Sequence, residues 1–120
     1  GCRMKKIKKP WGHEIIWANS DRIAGKVLYI RQGHRLSLQY HEKKEEAIYV
    51  MSGILTLTTT DKTSGKSTET CLNVGESYHI YPGDVHRFEA RDSDVTLVEV
   101  STPELYDVIR IEDDYKRADK

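Results

Sequence analysis

Between His13 and Ser101 the chain alternates short runs of branched and aromatic residues with turn formers, and this rhythm limits its fold more than any other feature. The runs are "HEIIWA" (13–18), "GKVLYIR" (25–31), "RLSLQYH" (35–41), "EAIYVMS" (46–52) and "ILTLTTT" (54–60), then "TETCLNV" (68–74), "SYHIYP" (77–82), "HRFEA" (86–90) and "VTLVEVS" (95–101). Each has the length and residue types of a strand. Gly, Asp, Asn or Ser separates most of them, and "DKTSGKST" (61–68) reads as a polar hairpin connection. No long segment has a 3.6-residue period; only Glu104–Val108, after Pro103, offers a helical turn. Short strands at this spacing predict an all-β sandwich or barrel.

The 120 residues suit one domain with a modest core. Gly1–Arg3 read as an addition before a native start at Met4, leaving 4–120 as the domain. The tail "RIEDDYKRADK" (110–120) is expected to be solvated and partly frayed. With 19 basic and 19 acidic residues the net charge is zero, so nothing favours nucleic acid or an anionic membrane. No apolar run approaches the ~20 residues of a membrane span, and no signal peptide is visible. Cys71 has no partner once Cys2 is set aside, so the expectation is a cytoplasmic protein without a disulfide framework. Cys71 lies in an apolar alternation and is expected to be buried and inert.

Residues two apart in a strand share a face. Gln39 and His41 form such a pair, and Arg35 and Ser37 continue the row if the strand is regular. The turn "EKKE" brings Glu46 back close to His41, and "YPGD" sets a bend before His86. Two imidazoles, a carboxylate and an amide oxygen make a metal's ligand set. Such nitrogen–oxygen sites suit zinc, manganese, iron, cobalt or nickel rather than copper(I). The competing reading of each is an ordinary polar residue on a sheet surface.

The stretch resembles the first motif of the cupin superfamily: Gly33, Gln39, His41, Glu46 and Gly53 fit its spacing. "GESYHIYPGDVH", from Gly75, resembles the second motif, with Gly83 and His86 at its Gly and metal-binding His. Tyr81 stands at its usual Pro and Ala90 at an Asn that is not a ligand. The resemblance implies a single-domain double-stranded β-helix, a jelly-roll barrel with a short C-terminal tail. The first ligand of a cupin is usually His. Gln39, with "KPWGHEIIW" (9–17) and the ending "RIEDDYKR" (110–117), resembles instead the cupin domain of type II mannose-6-phosphate isomerases, although Lys116 stands where that family has Gly. This implies a divalent metal, zinc first, on Gln39, His41, Glu46 and His86, and a homodimer formed through edge strands.

It also implies isomerisation of mannose 6-phosphate to fructose 6-phosphate through an enediol. That reaction needs a base to carry a proton between C1 and C2. Glu99 interrupts "VTLVEVS" and shares parity with Val95 and Leu97, so it could point inward, where burial raises a carboxyl's pKa; an outward Glu on an edge strand is the equal alternative. His34 and His79 are weaker candidates. Arg35, on the face of Gln39 and His41, is the first choice for phosphate and for catalysis. Arg110 and Arg117 lie in a tail that could fold over the barrel mouth, and Arg87 is expected to point outward. Apart from Glu46, "EKKEE" reads as a solvated turn; Trp11 and Trp17 read as packing residues. A non-catalytic sugar- or metal-binding cupin and an iron-dependent oxidative cupin remain as alternatives, because one barrel hosts many chemistries.

Overall fold

The computed structural model describes residues 4–117. The reading of Gly1–Arg3 as an added leader lies outside them. The strands are β1 (Lys5–Lys9), β2 (Gly12–Asn19), β3 (Ala24–Ile30), β4 (His34–Arg35), β5 (Leu38–Tyr40) and β6 (Glu46–Ser52). They continue with β7 (Leu55–Thr60), β8 (Ser67–Leu72), β9 (Ser77–Ile80), β10 (Val85–Ala90), β11 (Val95–Ser101) and β12 (Ile109–Glu112). No helix occurs among the described residues, so none is long and apolar enough to cross a membrane. One sheet runs β1-β2-β3-β11-β6-β9 and the other β12-β5-β10-β7-β8, with β4 also on β10. The ladders between the described strands are antiparallel. The fold is the expected all-β, cupin-like double sheet.

The inward rows explain the pairing. Ile48, Val50, Leu55, Leu57, Val95 and Leu97 are at most 1 % exposed and fill the space between the sheets. Each such side chain contributes about 1.5–3 kcal/mol when fully buried. Trp11 closes one end of this core, while Trp17 stays 39 % exposed over Gly25, where a β-carbon would collide with the indole. Gly53, the last glycine of the first motif, has φ +77° and a backbone that presses on the Asp94 carbonyl. Only glycine meets both demands.

Four local expectations change. "RLSLQYH" is not one regular strand. Arg35 pairs with Glu89, but Gln39 pairs with His86, so four steps on one side oppose three on the other. The extra residue is a β-bulge, which flips side-chain parity. The tail is not frayed at its start, because β12 pairs with β5. Glu104–Val108 forms turns rather than a helix, with Leu105 N donating to Pro103 O at 2.8 Å. The lysine-rich β1 went unrecognised as a strand because its composition resembles a solvated leader. Cys71 is exposed, because β8 is a sheet edge and its side chain faces outward beside Thr56.

Candidate metal centre

His41 follows β5, Glu46 opens β6 and His86 sits in β10. One ligand atom from each lies within 4.8 Å of the others, and all three residues are at most 3 % exposed. His41 Nδ1 donates to the Asp107 carbonyl, and His86 Nδ1 donates to the Asp84 carbonyl at 2.8 Å. A carbonyl oxygen only accepts, so each Nδ1 carries a proton, and in the neutral ring this leaves the lone pair on Nε2. His41 Nε2, His86 Nε2 and Glu46 Oε1 have no hydrogen-bond partner. His41 Nε2 nevertheless lies 3.0 Å from Glu46 Oε1. Buried acceptor atoms that converge in this way fit a cation among them, in addition to the Lys44 ammonium beside Glu46. Two imidazole nitrogens and a carboxylate fit zinc or another divalent first-row metal.

Gln39 stands opposite His86 across the β5–β10 ladder and lines a cavity together with His41 and Glu46. Its Oε1 accepts the Ser37 hydroxyl at 2.7 Å. The "YPGD" turn ties the motifs together: Gly83 N donates to His41 O at 2.7 Å. Asp107 shapes the intervening loop, its carboxylate accepting the amides of Glu42, Lys43 and Lys44 at 2.7–3.1 Å. Burial would raise that carboxyl, but the three amides outweigh it and hold it below the usual range. Nothing local in the sequence points to Asp107.

Lys44 was expected in a solvated turn but is 4 % exposed. Its Nζ lies 3.2 Å from Glu46 Oε1 and 3.2 Å from Glu99 Oε2. Burial works against the ammonium, but Glu99 and Glu46 overcome it and raise its pKa. Burial also opposes the Glu46 charge, and the His41 contact, Lys44 and His86 outweigh it, holding that carboxyl well below the ordinary range. Glu99 does point inward and is 4 % exposed. Burial first, then Glu46, pushes its pKa up, only partly countered by Lys44 and Lys26. Burial lowers His86, offset in part by Glu46.

The cavity beside this group has a volume of about 80 Å³. Lys9, Lys26, Lys44, Arg110 and Arg117 among its walls outnumber Glu14, Glu46 and Glu99. Arg110 and Arg117 thus reach the cavity, as the tail reading expected, although Arg117 is held by Asp113 at 2.8 Å. Arg35 does not line it. The bulge turns Arg35 to the outer face, where it forms two hydrogen bonds, of 2.7 and 2.9 Å, to Asp114. Arg87 also points away from the metal group, but it is buried beneath the tail, donating to Leu36 O and Glu112 O. His34 meets the Tyr115 hydroxyl at 2.6 Å and His79 meets Glu45 at 2.6 Å, both outside the cavity.

Comparison with known proteins matches residues 2–119 to the family described as mannose-6-phosphate isomerase C-terminal. A curated relative, a mannose-1-phosphate guanylyltransferase of Sinorhizobium fredii, is 29 % identical over 110 residues, covering 88 % of this chain and 20 % of the relative. The capsular polysaccharide assembling protein CapF of Staphylococcus aureus superposes with a TM-score of 0.79 at 19 % identity, over 92 % of this chain and 34 % of CapF. Oxalate decarboxylase from Bacillus subtilis gives 0.75 at 17 % identity, over 90 % of this chain and 30 % of the enzyme. The chain thus spans about a fifth of the curated relative and about a third of these structures. At such identities the two structures establish the fold alone.

Proposed function

The chain belongs to the mannose-6-phosphate isomerase C-terminal family, and on that premise we propose that it isomerises mannose 6-phosphate to fructose 6-phosphate through an enediol. Gln39, His41, Glu46 and His86 would hold the divalent metal, zinc first. The observation that carries this reading is the pair of unpartnered Nε2 atoms of His41 and His86 converging on the Glu46 carboxylate, beside the buried Lys44–Glu99 ion pair. A bound metal supplies positive charge to the substrate oxygens as a Lewis acid.

The chain's own groups supply the rest. Glu99 takes the proton from C2 and returns it to C1; its raised pKa suits a group that must both accept and release a proton. Lys44, held charged by Glu99 and Glu46, keeps a cation beside the site. Arg110 and Arg117, with Lys9 and Lys26, give the cavity the net positive wall that a phosphate dianion requires. The name of the curated relative, a mannose-1-phosphate guanylyltransferase, supports mannose as the sugar.

One observation favours a non-catalytic, ligand-sensing reading. The cavity of about 80 Å³ is smaller than the roughly 300–1,000 Å³ of ordinary ligand sites, and residues 105–117 cover it. A coupled assay of metal-reconstituted protein with mannose 6-phosphate separates the two. Fructose 6-phosphate forms if the chain is an isomerase. Its absence with zinc, manganese, cobalt and nickel alike overturns the isomerase reading. An iron-dependent oxidative chemistry would require a redox metal, so activity with zinc excludes it.

A further inference from the structure

The metal group has a second neighbour. On one side of the barrel the tail extends one sheet as β12. On the other, β8 and β9 are sheet edges that do not pair with each other. Between them lies a cleft of about 540 Å³, well within the roughly 300–1,000 Å³ of ligand sites. The buried His86 is among its lining residues, with Thr59, Thr68, Tyr78 and Ile80.

The residue pattern here is not that of a core. Leu55 and Leu57 point inward on β7, and the next inward position is Thr59. On β8 the inward row passes from Leu72 to Thr70 and Thr68. Hydroxyls therefore replace leucines where the cleft opens. The hydroxyls of Thr59, Thr68 and Tyr78 and the ammonium of Lys66 make no hydrogen bond or ion pair among the described residues. The acids at the rim, by contrast, are engaged. Asp61 accepts the amides of Thr63 and Ser64 at 2.7 and 3.0 Å. Asp84 accepts the Tyr81 amide at 2.9 Å and faces Lys62 at 3.8 Å. Solvent-facing hydroxyls beside a lysine that no carboxylate pairs fit a polyhydroxylated molecule bearing a negative group.

We propose that the β8–β9 cleft is a binding site for an anionic sugar, separate from the metal cavity. Lys66 takes the phosphate or carboxylate, and Thr59, Thr68 and Tyr78 bond the sugar hydroxyls. A ligand seated there rests against His86 from the side away from the cavity, and its rim residue Asp84 holds His86 in its tautomer. The inference stands apart from the isomerase reading, since it requires no turnover and no metal.

Amide-resolved NMR titration of the full chain tests it, run with zinc and again after chelation, using mannose 6-phosphate, glucuronate and neutral mannose. The expected result is saturable shifts at residues 59–68 and 77–86 with either anionic sugar, in both metal states, and weaker ones with mannose. The first two probes distinguish phosphate from carboxylate as the preferred anion. Lys66→Met and the double substitution Thr59→Val, Thr68→Val should each weaken binding by about fivefold or more while leaving zinc stoichiometry unchanged. Shifts confined to residues around Lys26, Glu99 and Arg110, equal response to mannose, or unchanged affinity in both variants would overturn the proposal. None of these outcomes depends on whether the coupled isomerase assay succeeds.

Discussion

Replacing Lys44 by Met isolates the electrostatics of the centre. The ammonium lies 3.2 Å from each of two carboxylates, with a side chain 6 % exposed. Met keeps most of its packing and removes its charge. Taking one partner from a buried ion pair costs about 3–5 kcal/mol, because a charge is left uncompensated. Here two carboxylates are left, but Glu99 can relieve the strain by taking up a proton, so the low end, about 3 kcal/mol, applies near neutral pH. For a chain of this length, about 4 °C per kcal/mol translates this into a fall of about 12 °C in Tm. Thermal unfolding of chelator-treated protein at pH 8 and pH 5.5 reads it out. A carboxyl whose folded pKa is raised loses stability as pH rises through the range between its unfolded and folded values. The penalty of Lys44→Met therefore grows with pH. Zinc, by placing positive charge on Glu46, should shrink it, and adding Glu99→Gln should recover part of it. A fall under about 3 °C at pH 8 without metal, or an equal fall at both pH values, would refute this electrostatic reasoning.

Other predictions concern separate parts of the molecule. Asp113, held by Arg117, has its pKa lowered to about 2, so its contribution to tail docking is complete above about pH 4 and is lost as pH falls toward 2. Tyr115 NMR signals should shift over that interval, and Asp113→Asn should abolish the pH dependence while loosening the tail at every pH. Gly53→Ala combines a positive φ with a collision at the Asp94 carbonyl and should cost about 1–3 kcal/mol in urea unfolding; a change below 0.5 kcal/mol would contradict that backbone account. His41→Ala and His86→Ala should each reduce bound metal in elemental analysis, and undiminished stoichiometry in both would show that the ligands are wrongly assigned.

The β-rhythm of the chain made most strands readable, because branched and aromatic runs bounded by turn residues permit little else. "EAIYVMS" and "VTLVEVS" match β6 and β11 end to end. β1 is hidden because its lysine-rich run looks like a solvated leader, and β12 because its pairing with β5 comes from a tertiary partner rather than local composition. The convergence of His41, Glu46 and His86 was legible in motif spacing. The orientation of Arg35 was not, since one bulge between Arg35 and Gln39 reverses parity and leaves no mark in the residue types. Lys44 shows a further limit: a charge run looks solvated until the opposing acid, Glu99 on β11, is known to face it. Asp107 organises the loop from more than sixty residues away, beyond the reach of any local pattern.

The central claim is that His41, Glu46 and His86 are built to hold a divalent metal. Anomalous diffraction at the zinc absorption edge, from crystals grown with zinc, tests it most directly. The account predicts one strong peak at about 2.0–2.2 Å from His41 Nε2, His86 Nε2 and a Glu46 carboxylate oxygen. No peak there at saturating zinc, or a peak bound to the Nδ1 atoms or to another set of residues, would contradict it.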